Sequence, residues 1–349
     1  MRGTRTSDIS QIRIRRPGGA HFFVIPSGVS IERLRHIDPD RDWTDMRLGR
    51  DRWVVQPYAR LRARGWDVTL GSDVPSAGLV VYHKETHCEV LRRVPRGGHP
   101  VLIACRADFR SADEADFEVV QNGCHADSVR VFFVPFWPQP GLIPRDPARG
   151  HTVENVAFKG HIGNLTPELR GPEFQQFLER HGMRFMLDTL GERDASVPVP
   201  AAWHDYSAVD VVLALRPAGN REHTHKPATK LYNAWLAGVP AILSPDYAFR
   251  ELRRQALDYI EVDSVADACQ ALLRLRNDPQ LYAAMVANGL ERGRDFSASA
   301  ITDRWEKLLF ETLPPLVAQR PQWQRGRAGR QLLGLQRKAA GVLSGASRK

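Results

Sequence analysis

Five prolines crowd into residues 135–150, at Pro135, Pro138, Pro140, Pro144 and Pro147, and on either side of them short apolar runs alternate with helical segments. Proline at that density disfavours helix and central strand alike, because it fixes φ and removes an amide donor. The stretch therefore reads as a connection between two units. One long surface loop inside a single domain is the competing reading, and such loops are uncommon in compact units. A chain of 349 residues is long for one core and comfortable for two. The expected organisation is a basic N-terminal segment over 1–19, a first domain over 20–140 and a linker over 141–154. A second domain over 155–298, a terminal helix over 299–313 and a basic tail over 314–349 complete it.

Before the linker, strands are expected at 21–25, 66–70, 79–82, 101–105, 117–120 and 129–134. A helix is expected over 52–64, where Val54, Val55, Tyr58 and Leu61 recur at helical spacing and Gly65 supplies a stop. After the linker the pattern gives strands at 155–159, 184–187, 209–215, 239–243 and 259–262. Helices are expected over 172–181, 229–237, 265–274, 279–292 and 300–312. Short strands alternating with helices imply parallel sheets covered on both faces, an α/β class built of two Rossmann-like domains.

Hydrophobic residues make up 42% and charged residues 26%, which suits a folded chain and excludes wholesale disorder. No apolar run approaches the roughly 18 residues of a membrane-spanning helix, and the arginine-dotted start has no apolar core of a secretory signal. Cytoplasmic residence is the expectation. Cys88, Cys105, Cys124 and Cys269 have no C-x-x-C spacing, so reduced thiols are expected rather than a zinc or redox site. The net charge of +9 is unevenly placed: 314–349 holds eight Lys/Arg and no acid, and 1–17 adds five arginines and Asp8, which leaves the middle mildly acidic. Basic ends on an acidic body make nucleic acid an unlikely partner.

The most informative segment is HTHKPATKLYNAWLAGVPAIL, residues 223–243. A buried strand before it emerges into Arg216-Pro217-Ala218-Gly219, and in open α/β sheets ligands sit beyond the carboxyl ends of strands. A helix starting near Pro227 leaves the amides of Thr229, Lys230 and Leu231 unpaired at its positive end, with His225, Lys226 and Lys230 alongside. That combination suits a diphosphate. An amphipathic helix with a glycine stop at Gly238 is the plain alternative. Arg216 is either a phosphate ligand or a solvated strand-end charge. His223 and His225, two apart and without a carboxylate at helical spacing, make a poor metal pair, and Asp38-Pro39-Asp40 reads as a surface turn.

The pattern Lys230-Leu231-x-Asn233-Ala234-x-x-Ala237-Gly238-Val239-Pro240-x-Ile242 resembles the donor-binding helix of GT-B glycosyltransferases. A second resemblance lies in Phe158-Lys159-Gly160-His161-Ile162-Gly163-Asn164, similar to the glycine loop that opens the C-terminal domain of those enzymes near the transferred sugar. The resemblance implies two Rossmann-like domains facing each other across a cleft and transfer of a sugar from a nucleoside diphosphate donor. It covers residues 155–296; over the first domain only the α/β alternation agrees. It implies donor contacts from Gly160, His161, Gly163, Asn164, Arg216, Lys226, Thr229, Lys230 and Leu231, with Asn233 at the ribose where the family commonly has Glu. Eight positions before Asn233, where retaining members often carry another Glu, stands His225, which the resemblance puts at a catalytic position. Both substitutions leave the anomeric outcome open. No metal or other cofactor is expected.

A base for the acceptor hydroxyl should face the phosphates from the first domain. Candidates are His83, followed by Lys84, Glu85 and His87, and Asp108 with Arg106 nearby; ordinary loop residues are the alternative for each. In the tail, Leu332, Leu335, Ala339 and Leu343 fall near one helical face among basic residues. That suits either contact with an anionic membrane surface, and so a lipid-linked or other glycan acceptor, or a glycine-rich solvated tail. A nucleotide-sugar epimerase and a non-catalytic nucleotide-sugar sensor or scaffold remain as competing readings.

Overall fold

The computed structural model describes residues 16–46, 48–190, 201–217, 223–320 and 326–346. The basic residues expected at 1–15 and the turn residues Ala218 and Gly219 lie outside them.

The first sheet is built from β1 (Arg16–Phe23), α1 (Ile31–Arg35), α2 (Gly49–Ala63), β2 (Trp66–Gly71), β3 (Leu79–His83), α3 (His87–Arg93), β4 (Val101–Cys105), β5 (Phe117–Val120) and β6 (Val131–Phe133). Its six strands run parallel in the order β2-β1-β3-β4-β5-β6. The second lobe follows with β7 (Asn155–His161), α4 (Pro172–Arg180), β8 (Arg184–Leu190), β9 (Val211–Ala214), α5 (Thr229–Ala237), β10 (Ala241–Leu243), α6 (Tyr247–Leu252), β11 (Ile260–Glu261), α7 (Val265–Asn277) and α8 (Pro279–Gly293). Its parallel order is β11-β10-β9-β7-β8. Strands such as Val101–Cys105 are buried along their whole length, as a parallel sheet covered on both faces requires.

Several strand limits move from their expected positions, for local reasons. The first begins before residue 21 because Gly19 and Ala20 already pair with Asp67 and Val68. The strand expected at 129–134 shrinks to Val131–Phe133 because Asp127 Oδ1 accepts the amides of Val129, Arg130 and Val131, turning the chain there. The strand expected at 239–243 starts at Ala241: Gly238 ends α5 in the left-handed region at φ 68°, and the Val239 amide folds back onto the Ala234 carbonyl at 2.9 Å.

After α8 the chain returns to the first lobe. Helix α9 (Ala298–Glu306), a π-helical stretch over Lys307–Thr312 and α10 (Leu313–Ala318) carry Ile301, Trp305, Leu308, Leu309 and Leu313 into the core of the first sheet, beside Trp53 and Val55 of α2. Trp66 stacks on Phe310 at 3.8 Å and donates its Nε1–H to Glu306 at 2.7 Å. The sequence marks these residues as a helix but not as part of the first lobe. Trp305 is fully buried there, so Trp305→Ala is expected to cost about 3–5 kcal/mol of stability, read as a lower guanidinium midpoint with an unchanged slope.

The glycine-rich solvated reading of the tail is overturned. Helix α11 (Arg327–Ala346) docks on the first lobe, with the guanidinium of Arg330, 1% exposed, against Asp116 at 2.5 Å and Arg337 donating to the Ala115 carbonyl at 2.8 Å. Leu332 and Leu335 face outward. Among the described residues, no helix is long and apolar enough to cross a membrane.

The proline-rich connection is pinned at both ends. Trp137 sits in the first core, while Arg145 pairs with buried Asp210 at 2.8 Å in the second lobe.

Candidate functional site

The carboxyl ends of β7 and β9, the start of α5 and the side of α2 enclose a cleft of about 220 Å³ between the two sheets. That is small beside the roughly 300–1,000 Å³ typical of small-molecule sites.

Helix α5 opens on Ala228, whose methyl offers no acceptor to the amides behind it. The Thr229 and Lys230 amides have no partner among the described residues. The Leu231 amide does have one, the Ala228 carbonyl at 3.0 Å, and the Leu231 side chain is in the core. Leu231 is therefore spent on the fold, contrary to the expectation that its amide is open to an anion. Two free amides at a positive helix end remain, and both of their residues line the cleft.

Lys230 follows the helix start inward. Its Nζ lies over the Phe158 ring at 5.3 Å from the centroid, and among the described residues no carboxylate lies within 4.0 Å of it. Burial, reinforced by Arg216, pushes its pKa down to about 8. Gly160 makes the room: its φ of +150° is a glycine conformation, and a Cβ there would stand 3.2 Å from the Lys230 ammonium.

The other cations on this wall are matched. Arg216 pairs with Asp246 and donates to Asn164 Oδ1 at 2.6 Å, tying the loop after β7 to the loop after β10, which rules out a solvated strand-end charge. Lys159 pairs with Asp188, its register partner across β7 and β8, and lies over the Tyr206 ring at 4.9 Å. Lys226 reaches across to Asp108 of the first lobe at 2.5 Å. Among the described residues, Lys230 and Arg52 are the cleft cations left without a carboxylate.

Asn233 lines the cleft, and its Oδ1 accepts the Gln139 amide at 2.9 Å. It fastens the linker to α5, which leaves the oxygen's second lone pair and the Nδ2 hydrogens for a ligand in the cleft. His161 lines the cleft edge-on to Trp203, whereas Gly163 stands outside it in the turn over Ile162–Asn164.

Of the candidate bases, the structure brings Asp108 alone into the cleft; Gln121 Nε2 donates to it at 2.8 Å. His83 is buried behind it, against Phe109, and burial with Arg50 nearby lowers its pKa to about 4, so it is a weak proton acceptor. His225 stacks on His125 at 4.5 Å outside the cleft, its pKa also lowered by burial and by Arg106. His87 bonds Tyr82 and Glu114 within the first lobe, and Glu85 pairs with Arg50. The lobes are clasped beside the cleft. Glu251 accepts the Gly123 and Cys124 amides at 2.9 and 2.7 Å, and Asn122 donates to the Lys226 carbonyl at 2.9 Å.

Sequence reasoning did not single out Arg52, Gln56, Trp137, Lys159, Asp188 or Asp246. Asp246 follows a strand end, which is a usable signal. The Lys159–Asp188 pair needs the strand register, and α2 needs the second lobe, before either is visible.

The chain matches no protein-family model and no curated protein sequence. Among solved structures, sucrose-phosphate synthase from Thermosynechococcus elongatus superposes with a TM-score of 0.53 at 13% identity, over 86% of this chain and 99% of that one. HepE of Anabaena, solved with UDP and glucose, gives 0.49 at 12% identity over 84% of this chain and 99% of that one. TarM gives 0.48 at 9% identity over 74% of this chain, which spans 58% of TarM. The last two likenesses are too loose to carry weight. The first, with the two facing parallel sheets, shows that the chain has the GT-B fold.

Proposed function

We propose that the chain transfers a glycosyl group from a nucleoside diphosphate-sugar to a hydroxyl acceptor, without a metal ion. The observation that carries this reading is Lys230: an ammonium with no carboxylate within 4.0 Å among the described residues, at an uncapped helix start, inside the cleft. Holding a cation there unpaired is costly unless an anion arrives. A diphosphate supplies that anion. It would take the Thr229 and Lys230 amides and the Lys230 ammonium, which also neutralise the charge that grows on the leaving phosphate. Lys226, drawn to the same phosphates, would leave Asp108, and the freed carboxylate would take the acceptor's hydroxyl proton as the new glycosidic bond forms. Arg216 and Asn164 would hold the loop that shapes the sugar pocket.

A thermal-shift panel of UDP, GDP, ADP, dTDP and their sugars, run in EDTA, tests this. One nucleotide is expected to raise the melting temperature, since a ligand at 100 times its Kd stabilises by about 2.7 kcal/mol. No shift from any member contradicts the reading. The affinity should also fall as pH rises through about 8, because Lys230 then loses the proton that attracts phosphate. Calorimetric titrations between pH 7 and 9.5 would show it; an affinity flat across that range would count against Lys230.

A further inference from the structure

Helix α2 presents a second polar wall to the same cleft. Arg52 and Gln56 stand one turn apart on it, and Trp137 of the linker lies beside them. Gln56 is 0% exposed, and among the described residues neither its Oε1 nor its Nε2 has a hydrogen-bond partner. Trp137 is 1% exposed, and among the same residues its Nε1–H is unpaired and the buried Arg52 Nε has no acceptor.

A buried polar group without a partner costs about 1–3 kcal/mol, and folded proteins keep few of them. Three in one wall of one cleft mark a place where a ligand completes the bonding. The donor set says which ligand. Arg and Trp can only donate, and the Gln amide adds two more donors. Gln56 Oε1 also needs a donor, such as a ligand hydroxyl, but donors dominate the set, and the unpaired guanidinium calls for negatively charged oxygens in the planar or tetrahedral shapes it binds through two bonds.

Resting on the glycosyl-transfer reading, we infer that Arg52, Gln56 and Trp137 form an oxyanion subsite for the acceptor, which is therefore a phosphorylated or carboxylated molecule. The anion, held on the first lobe, presents a neighbouring hydroxyl toward Asp108, while the donor's phosphates occupy the opposite wall at α5.

The test uses the full chain saturated with the nucleoside diphosphate that stabilises it most. Inorganic phosphate and acetate are then titrated in separately by calorimetry, which distinguishes a phosphate from a carboxylate acceptor. At least one should bind. Arg52→Gln and Gln56→Glu should each weaken that binding at least tenfold while changing nucleotide affinity less than twofold. Arg52→Gln should keep or raise the melting temperature, because it removes an unpaired buried cation. Binding of neither anion, or anion binding indifferent to Arg52, overturns the inference. So does a tenfold loss of nucleotide affinity in Arg52→Gln, which would give the guanidinium to the donor, or a fall of several degrees in its melting temperature, which would make it structural. If phosphate or acetate binds through Arg52 but no nucleoside diphosphate binds at all, the oxyanion subsite stands and the donor reading fails instead.

Discussion

Lys230→Met is expected to weaken donor binding severely while leaving the fold as stable as before, or more so. The methionine fills nearly the same volume over Phe158 and removes a cation that has no carboxylate partner. Truncating a desolvated charge that meets an opposite charge in the complex costs about 2–5 kcal/mol. That corresponds to a Kd raised from roughly thirtyfold to several thousandfold. The ligand-free protein loses only a burial penalty. In the wild type that penalty is greatest below pH 8, where the folded chain holds Lys230 charged against its environment. It shrinks as pH rises from about 8 toward the ordinary lysine value of 10.5, because the unfolded chain binds the extra proton over that window. This group alone therefore makes the wild type gain stability between those values, and Lys230→Met should lack the gain. Calorimetry and chemical denaturation of the two proteins at pH 7 and 10 would show both effects. A variant that binds donor normally, or that unfolds, contradicts the role given to this lysine.

Asp108→Asn should separate chemistry from binding. The variant keeps shape but cannot take a proton, so turnover, followed as release of nucleoside diphosphate from its sugar in the presence of acceptor, should drop by about 10²–10⁴. Donor affinity should stay level or improve, because Lys226 no longer has a carboxylate competing with phosphate. Equal losses in affinity and turnover would instead mark Asp108 as a clasp between the lobes.

The strands of both lobes were legible in the sequence, and so were the longer helices. Helix α5 has the bounds read from the chain, 229–237, because Gly238 stops it in a conformation few residues but glycine adopt. The buried strands 101–105 and 117–120 were equally plain, since an uninterrupted apolar run of that length has few other uses. Short helices such as α3 were missed, since His87 looked like loop chemistry when it is a helix residue bonded inside the lobe. The tail was misread for a different reason. Its glycines suggested a loose chain, yet Gly334 lets α11 approach so closely that a Cβ would stand 2.9 Å from Glu114. At the site, spacing located Lys230 and the loop at Gly160 but could not tell which polar atoms were already spent. Asn233 stands where the family commonly has Glu, and its oxygen accepts the Gln139 amide, which spacing alone does not show. Arg52 and Gln56 had no local signature at all. They become a site when the two lobes face each other.

The most direct measurement is a crystal structure of the full chain with the nucleoside diphosphate that stabilises it most. Phosphate oxygens are expected within hydrogen-bond reach of the Thr229 and Lys230 amides and of Lys230 Nζ, with the Lys226–Asp108 pair separated. A nucleotide found elsewhere, or phosphates turned away from that helix start, would contradict the account at its root.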